Sequence, residues 1–152
     1  MRKTLFIIFT AFLISNCAQK KCELYTENYI PKNLNESVEF LECEWADNLK
    51  NEFKLKPEKE AVSELHHSYG QYLRNQWELW NGNNELSLSF QEIGITHPDD
   101  ISSIILTSFH RKLNNKNIEI EKQAQFYKDY WKKSESLESL DDSEPVPDEL
   151  DF

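Results

Sequence analysis

The chain has 152 residues, a formal net charge of −10, and 29% charged against 39% hydrophobic residues. That length fits one domain rather than several. The acidic balance excludes a nucleic-acid binder, which needs a basic footprint.

The first element is an export signal. Arg2 and Lys3 form a positive start, and the uncharged run LFIIFTAFLI follows at residues 5–14. It is too short to span a bilayer, which takes about 20 residues, and fits the apolar region of a signal peptide. Leu13-Ile14-Ser15-Asn16-Cys17 then resembles the bacterial lipobox, with Asn16 where Gly or Ala is usual. The resemblance implies cleavage before Cys17 and a diacylglycerol on its sulfur, giving an exported protein of the bacterial cell envelope anchored to a membrane by lipid. Residues 1–16 are thus the signal peptide and 17–29 a polar, lipidated tether. Cys22 and Cys43 are left as a pair in a compartment that permits a disulfide. They could bridge or stay free thiols, and without geometry free thiols are the default.

The helical domain is expected over residues 30–133. A first helix is predicted over 35–53, capped by Asn35, with Val38, Leu41, Trp45 and Leu49 on one face. A second is predicted over 57–80, opened by Pro57 and stopped by Asn81-Gly82. Its stripe is Val62, Leu65, Tyr69, Tyr72, Leu73 and Trp80. Residues 85–93 alternate like a strand, but a lone strand has no partner, so a short helix is expected. Thr96 with Asp99 reads as a near capping box for the next helix, which carries Ile101, Ile104, Ile105, Phe109 and Leu113. A last helix begins near Asn117, with Ile120, Ala124, Tyr127 and Trp131 on one face. The expected fold is therefore all-α, a compact array of four to five helices. Residues 134–152 hold eight acids and no Lys or Arg. They are expected to be a disordered acidic tail.

Two blocks carry a family likeness. Leu65-His66, Gly70, Leu73-Arg74-Asn75, Trp77 and Leu79-Trp80 make one; His97-Pro98-Asp99-Asp100, Ser102, Ile105-Leu106 and His110-Arg111 make the other. Together they resemble an uncharacterised bacterial family known only as a domain of unknown function. The resemblance covers about residues 30–131 and implies a fold unit without an activity.

The same blocks hold the candidate site. His66, Gly70 and Arg74 stack at i, i+4 and i+8 on one helix edge. Arg74 beside the Trp77 indole could clamp a carboxylate or phosphate. His66, Arg74 and Trp77, joined by His97, Asp100, His110 and Arg111, form a candidate edge for a protein partner or a small polar or anionic ligand. The competing reading is structural, with Gly70 admitting a helix crossing and Arg74 pairing with Asp99 or Asp100. No metal motif, P-loop, dinucleotide fingerprint or nucleophile elbow occurs. No catalytic residue, metal or cofactor is expected. The leading expectation is a non-catalytic binding module. Its rivals are a small hydrolase or metal-dependent enzyme using the histidines and acids, and a structural envelope protein with no discrete site.

Overall fold

A computed structural model describes residues 22–26 and 28–141, with side chains to residue 137. The expected signal peptide, Cys17 and the last eleven residues of the acidic stretch lie outside the described residues. Within them the fold is all-α, with seven helices and no strand: α1 Leu34–Glu44, α2 Asp47–Leu55, α3 Glu58–His66, α4 Tyr69–Gln76, a 3₁₀ turn Leu79–Asn81, α5 Glu85–Gln91, α6 Pro98–Leu113 and α7 Ile120–Asp141.

α6 is the axle. α1, α2, α3, α4 and α7 all pack on it. A helix met from every side must bury most of its circumference. Accordingly Ile101, Ile104, Ile105, Leu106 and Phe109 are buried, as are Ser102, Ser103 and Ser108 between them. Serines there are small enough to let neighbouring backbones approach.

Both long helices expected from periodicity are broken. Residues 35–53 divide at Trp45 and Ala46, whose backbones are extended. In an unbroken helix Trp45 and Phe53 would sit about 12 Å apart along the axis. The break brings their rings to 5.3 Å, and Trp45 also meets Phe109 at 5.3 Å and Tyr69 at 5.1 Å, edge to face. Such aromatic packing outweighs local propensity. Leu49, expected in the apolar stripe, is half-exposed as a result. The N-cap is Asn33 rather than Asn35, its side chain accepting from the Glu36 N–H.

Residues 57–80 divide at His67-Ser68 and again at Glu78, whose φ of 49° is left-handed. Asn84 caps α5 with Oδ1 and donates from Nδ2 to the Trp77 carbonyl at 2.7 Å, holding that second turn. α6 is capped by the His97 ring, not Thr96: Nδ1 accepts from the Asp99 N–H at 3.3 Å, and Pro98 takes the first helical position. α7 runs past Ser134 as far as Asp141.

The segment expected as a tether is partly folded onto α1. Cys22 and Cys43 form a disulfide with Cα atoms 5.4 Å apart. Tyr25 donates to Glu39 at 3.0 Å and Tyr29 to Glu36 at 2.7 Å, and both rings pack on Phe40. Burial, then the bonded carboxylate, pushes the Tyr29 hydroxyl up to about 12.

Candidate functional site

The predicted site residues do not form one site. They separate into two clusters at opposite ends of α6, while Trp77 joins neither.

The first cluster is built where the α3–α4 break meets the α6 N-terminus. The break at 67–68 frees the His66 carbonyl, and Arg74 donates to it from Nη1 and Nη2 at 3.3 Å each. Arg74 Nη1 also donates to Ser102 Oγ at 2.9 Å. Arg74 Nε stands 2.9 Å from Asp99 Oδ1, an ion pair off the N–H line; the N–H itself has no hydrogen-bond partner among the described residues. The guanidinium is almost wholly buried, with 6% of the side chain exposed against 33% for Asp99. Gly70 gives this arrangement room. A Cβ there would stand 3.2 Å from Arg74 Nη1 and 3.2 Å from the Leu65 carbonyl. Arg74 is therefore consumed inside the fold, its donors facing backbone, serine and carboxylate.

His66 sits at the rim of this network, 3.8 Å from Asp99 Oδ1 and beyond hydrogen-bond reach. Burial lowers its pKa, against the pull of Asp99. His97 is fixed by its capping bond and lies between Trp131, at 5.1 Å, and Trp80, at 6.3 Å. Asp100 is buried and accepts from Trp131 Nε1 at 2.7 Å. Burial raises the Asp100 pKa, and the Trp131 bond offsets part of that rise. This contact pins α7 to α6.

The second cluster closes the other end. Arg111 grips Glu58 with two parallel bonds, Nε to Oε2 at 3.1 Å and Nη2 to Oε1 at 2.9 Å. It also donates from Nη1 to the Ile118 carbonyl at 2.7 Å. Those bonds, chiefly, hold the Glu58 carboxyl below its usual range, against burial. His110, expected to project outward, is 2% exposed. Its Nε2 lies 3.0 Å from the Lys56 carbonyl and its ring packs edge-on against Phe53. Trp77, expected at the binding edge, is fully buried and meets Phe40 at 5.5 Å. Its position on the wheel is that of a core residue once α4 is bent out of line with α3.

Between the clusters runs a feature that sequence reasoning missed. α3, α6 and α7 border an open groove of about 720 Å³, a volume within the range of small-ligand sites. Val62, Phe126 and Tyr127 give it an apolar surface, and Lys59, His66 and Arg111 stand on its rim. Only His66 and Arg111 belong to the predicted set. Nothing local could have signalled the groove, because Glu58 and Arg111 meet across a separation of 53 residues. Among the described residues no group of three or more His, Cys, Asp or Glu side chains is arranged to hold a metal ion.

Fold and site thus define a small all-helical domain whose two polar blocks are bonded largely inward and whose surface carries an open groove. The chain belongs to the family described as a domain of unknown function, DUF6794, which it matches over residues 30–113. That span covers α1 to α6 and stops before α7. No curated protein and no solved structure matches the chain.

Proposed function

We propose that this protein is a lipid-anchored binding module of the bacterial cell envelope, without catalytic activity, that takes its ligand in the groove between α3, α6 and α7. The observation that carries this reading is the contrast between the two blocks and the groove. Most polar groups of the blocks have partners within the domain, while Arg74 Nε, Trp77 Nε1 and His110 Nδ1 are buried without a hydrogen-bond partner among the described residues. The groove offers apolar surface with charged and imidazole groups at its rim. Such a surface suits a ligand with an apolar body and polar ends, or a short stretch of a partner chain.

The anchor is proposed at Cys17. Two acyl signals on one residue suffice for stable membrane attachment. The disulfide at Cys22 then leaves residues 17–21 as the connection, a reach of about 17 Å. No described helix is long and apolar enough to cross a membrane.

The test places a photo-crosslinking amino acid at Lys59 in the full chain and compares it with the same chain carrying Ser63→Trp, which fills the groove from its exposed rim. A crosslinked species lost in the filled variant supports the groove. The same species in both variants moves the binding surface elsewhere, and no species in either overturns the reading.

A second reading has an observation of its own. Arg74, Asp99, Asp100, Glu58 and Arg111 all bond inward, which also suits a structural envelope protein with no discrete site. The hydrolase reading fares worse. Its His–Asp neighbour pairs, His66 and His97 with Asp99 at 3.8 and 3.7 Å, share one acid that Arg74 already holds.

A further inference from the structure

α7 carries two faces. Ile120, Ala124, Tyr127 and Trp131 recur at i, i+4, i+7 and i+11 and turn toward the domain, Trp131 through its bond to Asp100. About a third of a turn away lies a second stripe at the same spacing: Phe126, Tyr130, Lys133 and Leu137. Three of these four are large apolar side chains left in water, with Phe126 at 64%, Tyr130 at 57% and Leu137 at 57% exposure. A repeat of four and three residues is the seam spacing of paired helices. Isolated exposed apolar residues need no explanation, but a stripe running about 17 Å along one helix does.

Charge decides what covers it. α7 is not uniform along its length. Up to Lys133 it holds Lys122, Lys128, Lys132 and Lys133 against Glu121 and Asp129; beyond that it holds Glu135, Glu138 and Asp141 with no base. An anionic lipid surface would attract the first half and repel the second, and the chain's net charge of −10 opposes it throughout. A second copy of the same helix lying antiparallel sets each basic half beside an acidic half. A parallel copy would set like beside like.

We infer that α7 is a self-association surface, on which a second copy of this chain docks antiparallel along Phe126, Tyr130 and Leu137. The element lies outside the family match at residues 30–113; one face of it completes the core through Ala124, and the other is left for pairing. One helix-to-helix seam buries less than about 1,200 Å², so the pair is weak and reversible. The inference does not depend on the groove reading, although the seam starts at Phe126, which also lines the groove.

The experiment replaces Tyr130 with a photo-crosslinking amino acid in one copy of the full chain and co-produces it with a copy carrying a different tag. The expected product holds both tags at twice the chain mass. Lys132→Glu with Lys133→Glu in both copies turns the net charge of the first half negative, even with Lys122 and Lys128 kept, and should cut that product at least fivefold. So should Glu135→Lys with Glu138→Lys in both. Mixing one acidic copy with one basic copy should restore it. All of the residues changed with side chains described are exposed, and circular dichroism checks that each variant is folded. A crosslink to another protein or to lipid, no crosslink, or charge variants that neither weaken nor restore the product would each overturn the inference.

Discussion

Arg74→Met removes the guanidinium and keeps most of the side chain's apolar length. Three partners are affected. The His66 carbonyl loses two donors and is left at a helix break that supplies no other. Ser102 Oγ loses one donor but keeps its own bond to the Asp99 carbonyl at 3.0 Å. Asp99 loses its cation, yet a third of its side chain is exposed and water can solvate it. Breaking a fully buried pair costs about 3–5 kcal/mol, and a hydrogen bond to a charged group contributes about 1.5–3. With Asp99 discounted for solvent screening, the expected loss is about 2–3 kcal/mol. Urea unfolding followed by far-ultraviolet circular dichroism measures it, with an unchanged slope showing that the folded and unfolded states stay comparable. Asp99→Asn should lose only about 1 kcal/mol. A loss below about 0.5 kcal/mol for Arg74→Met would refute the assignment of Arg74 to the scaffold and return it to the candidate ligand site.

Other outcomes follow from the same contacts. Reducing the Cys22–Cys43 bridge opens a loop spanning 21 residues of sequence, and should lower stability by about 3 kcal/mol on the chain-entropy relation, read as a fall in the urea midpoint. Asp100→Asn keeps an acceptor for Trp131 while removing a buried charge, so at pH 7 its stability should equal or exceed wild type; Asp100→Ala takes the acceptor from the part-exposed Trp131 indole and should lose about 1 kcal/mol. The Glu58 pKa is depressed in the fold. Its contribution is therefore present above the unfolded carboxylate value, about 4.3, and is lost as pH falls through the lower folded value. Arg111→Met should flatten that part of the stability curve. His66 is also depressed by burial, so its contribution is present above about pH 6.5 and fades as pH falls below it; His66→Asn should remove that step in unfolding measured between pH 7 and 5.

The fold class was legible because apolar spacing on each segment is strongly helical and three glycines give little material for turns of other kinds. Helix boundaries were not. Periodicity joined 35–53 and 57–80 into long helices, since each wheel was assembled without knowing that Trp45 had to reach Phe109, or that Arg74 needed the His66 carbonyl. A break that serves a distant contact leaves no mark in the local pattern. The blocks were recognisable, and the structural alternative for Arg74 and Gly70 is what the geometry contains: Arg74 with Asp99, and Gly70 against Ser102. Trp77 and His110 were misplaced for one reason. A wheel drawn on a straight helix cannot say which flank the neighbouring helices cover. The disulfide was open on sequence alone, because pairing depends on the 5.4 Å between Cα atoms that only the folded tether supplies.

The central claim is that the two blocks hold the domain together while the groove does the binding. The measurement that separates them runs Arg74→Met and Ser63→Trp side by side in the full chain, with stability and groove crosslinking at Lys59 scored on the same preparations. The account predicts that Arg74→Met loses stability but crosslinks normally per folded molecule, and that Ser63→Trp keeps its stability and loses the crosslink. The reverse pattern, with Arg74→Met stable and silent and Ser63→Trp still capturing its ligand, would contradict it.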